Sequence, residues 1–360
     1  MKQGMANSGY DRWTRRSALG ALAAGSFWSG ISAHPVRATS STKPAPIDRS
    51  GFVPIGGLDQ WIGIRGDDMR NPVLLVVHGG PGEAQWPMAA HYRVWERHFT
   101  VVHWDQRGAG HSFGRHGTAT PDMTLERISS DGAELVEHLC RTLGRKRIIL
   151  LGHSWGSTVA VNIVQRRPDR IAAYVGTGQV GSWKGAIAIK FDLLLSKARA
   201  DGDHAAVAAL EKSGPPDPDD AMAVFALNDR IHRYWPPSDI EWVKSLRANA
   251  AAARSSDPQS YKDFEDGFRF SARQVVYDQI KVDLPATAGT LDTAFFVLQG
   301  RDDLITPTRD AIDYFERVVA PFKKLILIPD AGHFAFMTAP DAFLGHLTGA
   351  VRPVAIERGA

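Results

Sequence analysis

The chain has 360 residues, of which 44% are hydrophobic and 22% charged, a balance that excludes a disordered chain and suits one large core or a core plus a smaller domain. Its formal net charge of +3 belongs to the first 38 residues, which hold Lys2, Arg12, Arg15, Arg16 and Arg37 against Asp11 alone. Without them 37 basic and 38 acidic residues remain, a net of −1, with no basic cluster that would point to nucleic acid or an anionic membrane.

In chain order, residues 1–38 come first. Paired Arg15 and Arg16 precede an Ala/Gly-rich, weakly apolar run from Ala18 to about Ala33, and Val36-Arg37-Ala38 offers a cut after Ala38. The segment resembles a twin-arginine export signal, so the expected location is outside the cytoplasm, periplasmic or secreted. The run is too short and too rich in Gly and Ser to span a bilayer. Residues 39–50 are polar, contain proline and read as a linker.

From Phe52 onward, strand and helix patterns alternate. FVPI and QWIGIR read as an opening hairpin, VLLVVHGG and TVVHWDQRG as buried strands, and Leu125 to Leu143 as a helix. Cys140, the only cysteine, lies on that helix's apolar stripe and excludes an intrachain disulfide. IILLGHSWGSTVAVNIV, Ile148 to Val164, is a buried strand, a Gly-rich turn and a second helix, and AAYVGTGQV is a further strand. Between Gly181 and Leu284 the β signal disappears and the chain turns helical, polar and proline-interrupted, as an inserted cap would. AFFVLQG, a helix from Pro307, the strand KLILIPD and a last helix around Ala342 to Val351 complete the chain. Residues 51–180 and 285–360 should therefore form one α/β core with a mostly parallel sheet, and 181–284 a helical cap.

The turn G-H-S-W-G poses the chemical question. A strand that reverses directly into a helix needs Gly152 and Gly156 where a Cβ would collide, and the turn holds Ser154 out at the carboxyl edge of the sheet, a nucleophile elbow. A serine hydroxyl needs a base. His78, His103, His153 and His333 all lie at strand ends, but the chain order Ser, acid, His leaves only His333, in PDAGHF. The acid lies in VLQGRDDLITP: Asp303 is favoured, one turn ahead of the Pro-started helix, with Asp302 as the alternative. Oxyanion donors are expected from the N–H of Trp155 and, in HGGPG after the first buried strand, from Gly80.

Taken together, HGGPG (78–82), WDQRGAGHS (104–112), SWGST (154–158), GRDD and AGHF resemble, in order and spacing, the proline iminopeptidase family of α/β-hydrolases, over roughly Phe52 to Gly181 and Ala294 to Pro340. The resemblance implies an α/β-hydrolase fold with an eight-stranded, mostly parallel sheet and a helical cap. It implies Ser154, Asp303 and His333 as triad, Gly80 and Trp155 as oxyanion donors, and an internal ion pair between Asp105 and Arg107 bracing the loop beside the site. Two features depart from the family pattern. His153 stands where the family usually has glycine, and the cap segment W-S-x-W-E, which with a second glutamate holds the substrate's free amine, is absent from Gly181 to Leu284. Glu241, Glu265 and Asp266 are the acids that could replace it.

Other chemistries lack their residues. There is no HExxH and no zinc-like spacing of histidine and carboxylate; no phosphate-binding or dinucleotide glycine loop follows a strand, GAGHSFG placing its last glycine one residue late. No metal or cofactor is expected. The sequence points to a serine hydrolase that cleaves an amide or ester of a small molecule or short peptide, first as an aminopeptidase or amidase and alternatively as a carboxylesterase or lactonase. A binding protein that keeps the fold without turnover is the alternative from another class.

Overall fold

The structure, a computed structural model, describes residues 45–360. The expected export signal and most of the expected linker lie outside the described residues. Eight strands form one sheet: β1 (Ile47–Ile55), β2 (Leu58–Gly66), β3 (Val73–Val77), β4 (Thr100–Trp104), β5 (Ile148–His153), β6 (Ile171–Thr177), β7 (Ala294–Gly300) and β8 (Phe322–Ile328). Their order is β1-β2-β4-β3-β5-β6-β7-β8, with β1 and β2 antiparallel to their neighbours and the other strands parallel.

The apolar runs become central strands because both faces are covered, and successive side chains alternate between the covers. Leu75, Val77 and Leu150 point to one face, against Leu135, Leu139, Val159 and Ile163 of the helices Leu125–Thr142 and Trp155–Arg166. Leu74, Val76, Ile149 and Leu151 point to the other, against Trp95, Phe343 and Leu347. Cys140 is buried in the first of these layers. Thr124 caps the helix Leu125–Thr142 by accepting from the Arg127 N–H at 3.1 Å, and Gly132 lets this helix close on its neighbour, since a Cβ there would meet Ile163 Cδ1 at 2.3 Å. Between β6 and β7 stand the helices Trp183–Ala200, His204–Ser213, Ala221–Ile231, Pro237–Ser256 and Pro258–Gln274, with a core of their own that includes Trp183, Phe191, Leu210, Val224 and Ile231.

Three sequence expectations need correction. The linker does not reach residue 50: β1 begins at Ile47, which is buried and pairs with Gly66, while Asp48, Arg49 and Ser50 are exposed. These polar residues make a sheet edge look like a connector. The last helix does not stop at Val351 but runs on to Glu357, through a wide π turn at Leu347–Val351. Pro353, which has no N–H to continue the regular ladder, follows that turn. Asp105 and Arg107 do not pair with each other. Asp105 takes His111 Nδ1 at 2.8 Å, and Arg107 takes Asp131, Nε to Oδ2 at 2.7 Å, with both side chains of that pair buried. The chain turns at Arg107 after leaving β4, and Asp131 on the helix Leu125–Thr142 faces the guanidinium.

Candidate active site

The site is built at the carboxyl ends of β3, β5, β7 and β8, where ligands gather in sheets of this kind. Ser154 follows β5 directly and takes φ 54° and ψ −124°, a conformation that non-glycine residues rarely adopt. Its glycine neighbours make that turn possible. A Cβ on Gly156 would lie 2.0 Å from the Val77 carbonyl oxygen, and one on Gly152 2.6 Å from the Gly156 carbonyl oxygen. The Ser154 N–H donates to the Thr177 carbonyl at 3.1 Å, and the side chain stays partly exposed at the start of the helix Trp155–Arg166.

Asp303 is almost fully buried after β7 and accepts from Gln299 Nε2 at 2.9 Å, the Ile305 and Thr306 N–H groups at 2.9 and 3.0 Å, and Thr306 Oγ1 at 2.9 Å. It also receives His333 Nδ1, at 3.0 Å to Oδ2 and 3.2 Å to Oδ1. A carboxylate that accepts fixes the proton on Nδ1 and leaves Nε2 as the basic nitrogen. Asp302 is exposed, and its backbone N–H donates to the Ala331 carbonyl. Between the two acids, Asp303 alone meets the imidazole. Burial acts to lower the His333 pKa, but the negative charges of Asp303, Asp239 and Glu83 outweigh it and hold the group above its ordinary 6.5.

Gly80, Ser154 and Trp155 line one cavity of about 180 Å³, together with Thr306, whose Oγ1 lies 3.2 Å from His333 Nδ1. Gly80 has φ 108°, and a Cβ there would meet the Gly82 and Glu83 nitrogens at 2.7 Å, so the loop after β3 can take this course only with glycine. The other histidines at strand ends are neutral structural groups. His78 is buried, its pKa is lowered by burial, and its Nε2 accepts from the Gln106 N–H at 3.2 Å. His103 is pushed by burial to about 3. His153 is held well below its ordinary value by burial and by the neighbouring His333, and its Nε2–H donates to the His333 carbonyl at 3.1 Å. The residue that departs from the family pattern thus ties the loop carrying His333 to the end of β5.

Sequence reasoning missed further groups at this site. Asp239, in the helix Pro237–Ser256, accepts from the His333 N–H at 2.7 Å while 1% exposed, and burial raises its pKa against the pull of the His333 imidazolium. Glu83, immediately after HGGPG, is partly buried, its pKa raised by burial and opposed by the charge of His333. Lys190 and Asp310 also line the cavity. The acids suggested for an amine stand elsewhere in pairs of their own: Glu241 with Lys244, Glu265 with Arg254, and Asp266 with Lys262 and Arg269. Among the described residues no group of histidines, cysteines and carboxylates could hold a metal, and no helix is long and apolar enough to cross a membrane.

The mostly parallel sheet, with a serine on a strained strand-to-helix turn and a His–Asp pair at the same edge, defines the class of alpha/beta hydrolases. The family model for the alpha/beta hydrolase fold matches residues 72–340, and the chain belongs to this family. Within it, the resemblance to proline iminopeptidases extends over most of the length. The chain is 25% identical over 297 residues to a probable aminopeptidase of Bacillus subtilis (strain 168), covering 82% of this chain and 93% of that protein. It is also 25% identical over 334 residues to a probable proline iminopeptidase of Leptolyngbya boryana, covering 83% and 95%. Its fold is similar to that of a proline iminopeptidase-related protein from Thermus thermophilus, with TM-score 0.61 and 20% identity over 87% of this chain and 99% of that one.

Proposed function

We propose that this hydrolase works through an acyl-enzyme on Ser154 and cleaves the amide that follows a free N-terminal residue, as an aminopeptidase or amidase. The observation that carries the reading is the buried Asp303–His333 pair beside a strained serine whose cavity also holds Gly80 and Trp155. Ser154 Oγ attacks the scissile carbonyl as His333 Nε2 takes its proton. The Gly80 and Trp155 N–H groups receive the oxyanion, and His333 then protonates the departing amine. Water repeats the sequence on the ester and frees Ser154. Asp303 fixes the tautomer and stabilises the imidazolium. Glu83 is the acid available to a substrate ammonium: its carboxyl interacts with His333 and forms no ion pair among the described residues.

The test is a panel at fixed pH of free and N-acetylated aminoacyl arylamides beside short and medium acyl esters, with the wild type and Ser154→Ala. Ser154→Ala should lose about 10⁶-fold in kcat. Free arylamides should be cut in preference to acetylated ones, without strict proline selectivity, because an unpaired ammonium is not admitted to a buried site. Equal rates with and without the acetyl group, or turnover of esters alone, would establish the carboxylesterase or lactonase reading. That second reading is favoured by the engagement of Glu241, Glu265 and Asp266 in pairs away from the cavity.

The twin arginines support export to the periplasm or beyond. Arg15→Lys with Arg16→Lys should retain the precursor in the cytoplasm, and the exported form should begin near Thr39; export of the double variant would refute this.

A further inference from the structure

The wall of the Ser154 cavity carries a buried cation that no carboxylate contacts directly among the described residues. Lys190 sits in the middle of the helix Trp183–Ala200, in the apolar run AIAIKF, and is only 4% exposed. Its Nζ donates to Asn228 Oδ1 at 3.0 Å and lies 5.6 Å from the centre of the Trp183 ring. No carboxylate forms an ion pair with it among the described residues. The nearest candidate in the cavity wall, Asp310, is already engaged: its Oδ2 accepts from the Gly181 N–H at 2.7 Å, and its oxygens accept from the Ser182 N–H at 3.1 and 3.2 Å. An ammonium has three donors and an apolar interior penalises each that is unmet, so buried lysines are almost always paired. Burial pushes its pKa down to about 8, while the more distant Asp303 and Asp310 act in the opposite sense, so the group carries its charge at neutral pH.

Lys190, Asn228, Asp310 and Ser154 line the same cavity, with Gly80 and Trp155 at the nucleophile end. We propose that Lys190, held by Asn228, receives a carboxylate at the far end of the substrate's acyl group, so that the enzyme selects short acyl chains that end in an anionic group. This rests on the acyl-enzyme reading of Ser154 and is independent of the choice between amide and ester. It applies equally to an N-terminal residue with an acidic side chain and to a monoester of a dicarboxylic acid; the shared chemistry is a carboxylate several bonds from the scissile carbonyl. The small volume, about 180 Å³, limits the chain to a short one and places its end within reach of the ammonium.

Monomethyl adipate and methyl hexanoate, which match in acyl chain length and differ in one terminal carboxylate, supply the probes. In calorimetry with the Ser154→Ala protein, monomethyl adipate should bind about tenfold or more tighter than methyl hexanoate, on the scale of one charge-assisted hydrogen bond. With the Ser154 enzyme, the kcat/KM ratio of mono-p-nitrophenyl adipate to p-nitrophenyl hexanoate should exceed one, and should fall about tenfold or more in Lys190→Met and in Asn228→Asp. Lys190→Met removes the charge, and Asn228→Asp neutralises it in place without changing the cavity's size; should the first fail to fold, the second decides. Methyl hexanoate binding as tightly as monomethyl adipate, or a ratio unmoved in the folded variants, overturns the proposal. If neither p-nitrophenyl ester is cut while monomethyl adipate still binds through Lys190, the acyl-enzyme reading fails and the carboxylate site stands.

Discussion

Replacing Asp239 by asparagine separates what the carboxylate does for catalysis from what it costs the fold. The side chain accepts from the His333 N–H at 2.7 Å, and its charge is one of three that raise the His333 pKa. Its other oxygen, Oδ1, has no hydrogen-bond partner and is buried. A hydrogen bond to a charged group contributes about 1.5–3 kcal/mol and a neutral one about 1, so the variant weakens the anchor of the histidine loop by about 1 kcal/mol or more. Propagated to the base, that is about a tenfold loss in kcat, since 1.4 kcal/mol is a factor of ten. The acid limb of kcat/KM moves as well. With His333 as the proposed base, wild-type activity should rise with pH as the imidazolium loses its proton, with a midpoint above the ordinary 6.5. Without the Asp239 charge, the imidazolium loses one stabilising partner and the midpoint falls. Stability goes the other way. The pKa of Asp239 is raised in the folded protein above its ordinary 3.8, so folding favours the protonated form and its ionisation destabilises the fold above that range. An asparagine in its place does not ionise, and the variant should melt higher than the wild type at neutral pH, the difference shrinking in acid as Asp239 takes up its proton. The assays are kcat/KM from about pH 5 to 9 and Tm at neutral and acid pH, ranges chosen to bracket the two groups. An acid limb that stays in place, or a Tm that falls together with kcat, would refute the reasoning.

Asp303→Asn should lower kcat by about 10⁴-fold, the scale for an acid that fixes the histidine tautomer, while Asp302→Asn stays within a fewfold of wild type; steady-state kinetics decide, and the reverse ranking transfers the role. Gly156→Ala drives a Cβ to 2.0 Å from the Val77 carbonyl, so calorimetry or denaturant melts should show a loss of about 1–3 kcal/mol, with activity falling as the serine turn is displaced; a wild-type melt would contradict the crowding.

How much of this was legible in the sequence differs from residue to residue, for physical reasons. The serine turn was legible because its demands are local: two glycines fit where backbone oxygens leave no room, and the strand before and helix after are within a few residues. Asp303 was legible for a similar reason, lying close to the start of the next helix, and the choice against Asp302 needed only to know which side chain turns inward. Asp239 had no such signal. It lies 94 residues before His333, in the helical insertion, and its sequence neighbourhood SDIEW reads as an ordinary helix start. Lys190 was hidden by its company: its helix also carries Lys184, Asp192, Lys197 and Arg199, and one lysine among them is expected to snorkel to water rather than to face a cavity. The polar Asp48-Arg49-Ser50 hid the beginning of β1, because an edge strand needs no apolar alternation to keep its hydrogen bonds.

The pairing of Arg107 has a consequence for what the WDQRG motif records. The guanidinium binds Asp131 through Nε and Nη2, and also reaches the carbonyls of Gly56 and Pro121 at 2.8 and 3.0 Å, while Asp131 takes Gln60 at 2.7 Å and Arg127 at 2.8 Å. One buried carboxylate therefore joins the turn between β1 and β2, the loop after β4 and the helix Leu125–Thr142. No member of this cluster lines the cavity at Ser154. The cavity lining can change without disturbing the cluster, but removing Arg107 or Asp131 alone breaks a fully buried ion pair. The motif thus records how the loop after β4 is fastened to the core, and its presence bears on the fold before it bears on which bond is cut.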